Sequence, residues 1–442
     1  MRRFLLLLLL LLALPLHATT TPAEKLANDA AQHELDSSPV GGNIPSYSLK
    51  PADLAKAQHL DKVSTVLHFG GALWSLAYVV ALLALGVVAL IRDEAAERFR
   101  NRWLQTLYFL FLFGLVTALL DLPLEVYGQH LRLQYGLSVQ TWASWAGDQL
   151  KSSAIALLLG TLIVRLLFWF IGKFPKGWWF GFWIVSIPIT LLGIFITPYV
   201  IDPLFNKFEP LMQSHPELVQ RLEEVANRGH MNIPPDRMFL MKASEKVTTL
   251  NAYVTGFGGS KRVVVWDTSI TKGTPDEILF IFGHESGHYV LNHIVRGILF
   301  STVLVFITLF LGYHFVQWAI RRFGPSWRIP SQTDLGALVV LILGFSLFSF
   351  VLEPITSTFS RSSEHAADVY GMEAIHGLVS DPQTTARGAF QVLGETSYEV
   401  PNPSQFLEFW TYGHPSIGRR AAFAAHYNPW VNGYAPKYFP KQ

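Results

Sequence analysis

A mainly α, polytopic membrane protein carrying an α+β extramembrane domain is the fold class that three observations predict. Half of the 442 residues are hydrophobic and 15% are charged, against roughly 25% charged in an ordinary soluble domain. The apolar residues arrive in about six long runs, most of them close to the roughly 20 residues that a spanning helix needs. Between and after these runs lie polar blocks with short β-branched stretches and a glycine-rich turn, the pattern of mixed helix and strand. The net charge of +2 gives no reason to expect nucleic acid as a partner. The chain has no cysteine, which excludes disulfides, thiolate metal sites and cysteine catalysis.

Met1-Arg2-Arg3, the leucine-rich run Phe4 to Leu14 and Pro15-Leu16-His17-Ala18 describe a signal peptide over residues 1–18. Leu16 is large for its place before Ala18, so retention as an anchor is the alternative. Residues 19–63 are polar and read as an extramembrane, partly helical segment. Residues 64–197 hold four spans: Leu67 to Ile91, Leu104 to Leu120, Ser153 to Ile171 and Trp178 to Thr197. Residues 298–355 hold two more, Ile298 to Ile320 and Leu335 to Phe350. Trp103, Trp178, Trp179 and Trp327 fall near span ends, where interfacial aromatics belong. Arg165 falls inside the third span. It is either a functional charge or an arginine snorkelling to a wet surface.

The extramembrane blocks are residues 198–297 and 356–442. In the first, Pro216 to Arg228 reads as an amphipathic helix and Arg237 to Lys242 as a strand. Thr248 to Thr255 and Arg262 to Asp267 read as paired strands joined by Gly256-Phe257-Gly258-Gly259-Ser260. That loop lacks Walker spacing and a following helix, so it is a hairpin turn rather than a phosphate cradle.

Both blocks serve one short stretch, Gly283-His284-Glu285-Ser286-Gly287-His288, an H-E-x-x-H motif. Thr274-Pro275-Asp276-Glu277 is a capping box that starts a helix over Pro275 to His293. On that helix His284 and His288 are four apart and share a face, where two imidazoles can hold one Zn²⁺. Glu285 lies beside them, placed to take a proton from water. A third ligand is best sought just after the sixth span, in Ser360-Arg361-Ser362-Ser363-Glu364-His365-Ala366-Ala367-Asp368. Glu364 and Asp368 sit one turn apart on a helix opening there. Glu364 completes a His₂Glu set, and Asp368 can accept a hydrogen bond from a ligand imidazole. His365 then faces elsewhere.

Together with Asp202-Pro203-Leu204-Phe205-Asn206-Lys207-Phe208, Asn251-Ala252-Tyr253 and Lys261-Arg262 to Asp267-Thr268, these motifs resemble the type 1 CAAX prenyl endopeptidases, multi-spanning zinc metalloproteases of the gluzincin group. The resemblance runs from about Leu67 to Tyr427. It implies membrane helices ringed around a hydrated chamber, capped by a zincin-like α+β domain. It also implies one zinc ion per chain on His284, His288 and Glu364, with Glu285 as catalytic base. His414-Pro415-Ser416 and Arg420 match the family's histidine and arginine six residues apart, and Arg419 is the neighbouring alternative. By the same resemblance His414 stabilises an oxyanion, Arg420 holds a substrate carbonyl or carboxylate, and Asn251 lies on an edge strand that binds substrate backbone. The implied partners are membrane lipid and a peptide or protein substrate, in the family usually prenylated. The family's eukaryotic members have seven spans against six here, and a bacterial-type leader points to a cell inner membrane.

Two rivals belong to other classes. A transporter or channel fits the spans and Arg165, but no pair of broken helices marks two related halves. A zinc-binding scaffold without catalysis would have no need of Glu285. The short loops Arg92 to Trp103, Gly172 to Gly177 and Arg321 to Thr333 carry four, two and three Lys/Arg, against two in the longer Asp121 to Ser152. By the positive-inside rule the zinc domain is extracytoplasmic, whereas the family's usual orientation faces it to the cytoplasm.

Overall fold

The computed structural model describes residues 20–256, 261–431 and 433–440. The expected signal peptide and all but Gly256 of the expected turn lie outside the described residues. Helix α1 (Pro22–Asp36) starts at a capping box made by Thr21 and Glu24. Among the described residues, helix α2 (Pro51–Ala84) is the first of six helices long and apolar enough to cross a membrane. The others are α4 (Arg102–Gln134), α5 (Trp142–Lys173), α6 (Trp178–Ile196, running on to Phe205 through a π turn), α9 (His293–Trp327) and α10 (Ala337–Ala374). The chain is a polytopic integral membrane protein.

The first span differs from the expected Leu67 to Ile91. It begins in the polar segment and stops before Gly86, which takes a left-handed φ of 73°. The left-handed turn favours glycine there, and a β-carbon would push aside the Arg328 guanidinium, whose Nη2 would lie 2.7 Å from it. Val87 to Ile91 therefore belong to a separate helix, α3 (Val87–Arg98).

The spans bury most of their shared surface at one end. Leu83, Phe109, Phe113, Leu167, Trp178, Val316 and Leu338 lie in one apolar cluster there. Short loops are tied together just beyond it. Arg92 Nη1 meets Asp334 Oδ2 at 2.7 Å, Arg328 Nη2 donates to the Gly86 carbonyl at 2.9 Å, and Gln332 Nε2 donates to that of Pro175 at 2.8 Å. The loops expected to share a side of the membrane thus form one face, and the extramembrane domain caps the opposite ends.

That domain holds a four-stranded sheet in the order β1 (Phe208–Pro210), β2 (Met238–Met241), β4 (Arg262–Trp266), β3 (Ala252–Thr255). β3 and β4 are antiparallel, with Ala252 opposite Val265 and Thr255 opposite Arg262, as the expected pairing required. β2 and β4 run parallel, which leaves β3 at the edge. Asp202 and Arg262, from two of the family-like motifs, meet at 3.5 Å beside the sheet.

Helices α7 (Pro216–Arg228), α8 (Pro275–Val290), α11 (Pro382–Ser397), α12 (Gln405–Thr411) and α13 (Ile417–His426) complete the domain. Val219, Leu222, Val263, Leu279, Phe280, Met372, Phe390 and Ala421 form its core, into which α1 inserts Ala27 and Ala31.

Candidate active site

Two helices build the site, and small residues let them cross closely. A β-carbon on Gly371 of α10 would lie 2.8 Å from the His284 backbone nitrogen, and one on Gly287 of α8 3.2 Å from Ala367 Cα. Backbone contact at that range brings Glu364 and Asp368 against the histidine face of α8. The capping box at Thr274 and Glu277 starts α8 as expected. The helix ends at Val290 rather than His293, because Asn292 turns left-handed at φ 57° and a new helix starts. Glu364 and Asp368 do not open a helix either. They lie late in α10, which runs unbroken from the membrane.

His284 Nε2 is 3.0 Å from His288 Nε2 and 3.2 Å from Glu364 Oε2, and His288 Nε2 is 3.3 Å from Glu364 Oε1. Ligands about 2.0–2.1 Å from a tetrahedral ion lie about 3.3 Å from one another, so these spacings fit one Zn²⁺ at their centre. Glu364 Oε2 is buried and receives no hydrogen bond despite that neighbour, as befits an oxygen facing a metal position.

His284 Nδ1 lies 2.8 Å from Asp368 Oδ1, which sets the tautomer with Nε2 toward the site. Asp368 is held by Arg420 at two points, 2.7 Å and 2.9 Å. The Arg420 guanidinium also lies 4.6 Å from the Phe390 ring centroid, with its side chain 10% exposed. Arg419 turns away from the site and pairs with Glu408 at 3.0 Å.

A cavity of about 460 Å³ opens on this cluster and is lined by Asn251, His284, Glu285, Glu364, His414 and Arg420. Burial pushes the Glu285 carboxyl above its usual range, and Glu364 adds to that, while His284, His288 and Arg420 oppose it. His414 Nε2 is 3.4 Å from Glu364 Oε1, and its side chain is 65% exposed. Asn251 immediately precedes edge strand β3, and its backbone is tied to Ser269 Oγ. His365 faces α1 and α13, with Asn28 Nδ2 at 3.5 Å and the Phe423 ring edge-on.

Sequence reasoning missed two sets of residues. His293, at the first turn of α9, places Nδ1 3.0 Å from His288 Nδ1. A third histidine five residues past the motif was the available signal. The second set holds the His414 loop. Arg361 donates to the carbonyls of Glu408 and Tyr412 at 2.7 and 2.8 Å, and Glu408 accepts from the Ser416 backbone at 3.0 Å.

Residues 212–428 match peptidase family M48, and residues 45–207 match the family described as CAAX prenyl protease N-terminal, five membrane helices. The chain belongs to peptidase family M48. It is a membrane metalloprotease, and that membership removes the transporter reading. Within residues 45–207 four helices are long and apolar enough to span, with α3 beside them.

Among its relatives, "Uncharacterized metalloprotease YhfN" of Bacillus subtilis (strain 168) is 37% identical over 384 residues, 86% of this chain and 87% of that protein. CAAX prenyl protease 1 of Saccharomyces cerevisiae is 29% identical over 331 residues, 72% of this chain and 71% of that one. The crystal structure of S. mikatae Ste24p shares the fold, with a TM-score of 0.75 over 91% of this chain and 95% of that one at 24% identity. Membership of M48 implies a metal, and the only His/Asp/Glu cluster suited to one among the described residues is His284, His288 and Glu364.

Proposed function

We propose that this chain is a zinc endopeptidase that cleaves CAAX-type peptide or protein substrates, lipidated or presented at the membrane. The observation that carries the reading is the set of three ligand atoms at 3.0–3.3 Å spacing with Glu285 beside them in one cavity. When bound, the ion supplies Lewis acidity to a peptide carbonyl and to the attacking water. Glu285 takes that water's proton and returns it to the departing amine nitrogen. His414 donates from Nε2 to the carbonyl oxygen as it gains negative charge. Asp368 and Arg420 hold the His284 ring in register. The open edge of β3, next to Asn251, receives the substrate backbone as an added strand.

The substrate class rests on the relatives named CAAX prenyl protease 1. The zinc domain is extracytoplasmic, because the cation-rich loops share the opposite face.

The test separates base from ligands. Glu285→Gln should retain one zinc per chain by elemental analysis and lose at least about 10²-fold in cleavage of a farnesylated CAAX peptide. His284→Ala and Glu364→Ala should lose both metal and cleavage. Full zinc and full cleavage in Glu364→Ala would sink the ligand assignment. Equal cleavage of the unfarnesylated peptide would remove the lipid from the recognition.

A further inference from the structure

We propose that the face of the membrane domain remote from the catalytic site binds the phosphate of an anionic lipid headgroup, in a basic cavity where Arg102, Arg165 and Lys173 converge.

The cavity, about 680 Å³, lies between the start of α4, the end of α5 and the loop joining α9 to α10. Arg92, Thr106 and Trp169 share its lining with those three cations, and no carboxylate side chain lines it. Arg92 is already neutralised, at 2.7 Å from both Asp93 and Asp334. Among the described residues, Arg102, Arg165 and Lys173 have no carboxylate within 4.0 Å. Three uncompensated cations around one polar cavity call for an anion.

Arg165 makes the case specific. Its Nε is buried without a hydrogen-bond partner. The residue lies two turns inside the end of α5, where an unpaired charge in hydrocarbon is costly. Its guanidinium sits 5.8 Å from the Trp103 ring, a contact that gives the Nε–H no acceptor. The cavity also takes in the first turn of α4, where Asn101 caps only the Trp103 backbone N–H. A helix start adds unpaired N–H groups and positive potential, both favourable to phosphate.

A lipid phosphodiester and free phosphate share this chemistry, and the surroundings favour the lipid. Trp103 and Trp169 flank the cavity on spanning helices and are 49% and 55% exposed, as aromatics at a headgroup boundary would be. Arg165 lies deep enough to meet a phosphate held at that boundary by acyl chains. Basic pockets between spanning helices are known to take anionic headgroups in this manner.

The experiment is native mass spectrometry of the purified full chain from detergent micelles doped with phosphatidylglycerol or phosphatidylcholine. Phosphatidylglycerol should be retained preferentially. Removing a cation should weaken it by about fivefold in Lys173→Gln, and by about 25-fold in the double variant Arg102→Gln/Arg165→Gln. Equal retention of the two lipids would overturn the proposal, as would unchanged retention in the variants. Displacement of phosphatidylglycerol by millimolar inorganic phosphate would make this a free-anion site and overturn the lipid assignment. Lys173 stands at an exposed helix end, so its variant carries the test if the double variant fails to fold.

Discussion

Arg420 grips Asp368 at two points, Nη2 to Oδ1 at 2.7 Å and Nε to Oδ2 at 2.9 Å, while the same Oδ1 meets His284 Nδ1 at 2.8 Å. Two of the guanidinium nitrogens are therefore committed to a residue that orients a metal ligand. Lysine offers one point charge and cannot reproduce a two-point grip. Arg420→Lys should lower metal affinity by about 10–100-fold, the usual cost of losing an outer partner, and leave KM within a few fold once metal is saturating. Metal titration beside steady-state kinetics checks it. A rise in KM with unchanged metal affinity would return Arg420 to substrate binding, the role that the family resemblance implied.

The helical spacing of His284 and His288 and the Thr274 cap made α8 readable, because both signals act within one or two turns. Glu364 and Asp368 were readable for the same reason, as neighbours one turn apart. The direction of Arg420 was not. It depends on how α13 docks on α10, a contact between segments distant in sequence. The close crossing at Gly287 and Gly371 was equally hidden, since glycine in an apolar helix carries no mark of what approaches it. The first span was misplaced because hydropathy continues through Gly86 while the backbone turns there. The Glu408–Arg419 pair went unseen because it depends on how two helices pack, and His293 because the expected helix ran on to it, whereas the chain turns at Asn292 and brings the ring back to His288.

His414 stands across the cavity from α8, 3.4 Å from Glu364 and largely open to the cavity. A donor that acts on the oxyanion strengthens its bond only as charge develops. His414→Ala should therefore lower kcat by about 10²–10³-fold with KM nearly unchanged. Kinetics on a single peptide decide the matter. A change confined to KM would assign His414 to substrate binding.

Glu408 anchors the loop that presents His414. It accepts from the Ser416 backbone at 3.0 Å and from Arg419 Nε and Nη2 at 3.0 and 3.1 Å. Burial alone would raise its carboxyl, but the Arg419 bonds and charge outweigh that and hold it below the usual range. A carboxylate with a depressed folded pKa contributes fully above its unfolded value, about 4.3, and loses the contribution as pH falls through the folded value. Glu408→Gln should cost about 1–2 kcal/mol at pH 7. The gap in melting midpoint between it and the unaltered protein should start to close as pH falls below about 4.3. A gap that stayed constant from pH 7 to pH 3 would show that the charge contributes nothing.

The side of the membrane that the site faces follows from charge and connectivity together. The loops bearing four, two and three Lys/Arg lie on one face, joined by the Arg92–Asp334 pair and the Gln332–Pro175 bond. The catalytic cluster lies at the other ends of the same helices, since α10 runs from Ala337 near those loops to Glu364 and Asp368. Cations are retained on the cytoplasmic side during insertion, so the remote face should be cytoplasmic and the site extracytoplasmic. The N-terminal segment agrees. Helix α1 packs on the catalytic domain, with Lys437 Nζ 2.7 Å from Glu24 Oε1, so whichever side receives Thr21 also receives the site. A leader inserted with Met1-Arg2-Arg3 inside would deliver Thr21 outside. Because the chain has no cysteine, one introduced thiol reports unambiguously. Gln213→Cys and Ser326→Cys lie at exposed positions on the two faces. With a membrane-impermeant maleimide on intact cells, or on spheroplasts where an outer envelope exists, the Gln213 variant should be labelled. The Ser326 variant should be labelled only after permeabilisation. The reverse pattern would turn the active site to the cytoplasm and put the basic cavity in the outer leaflet.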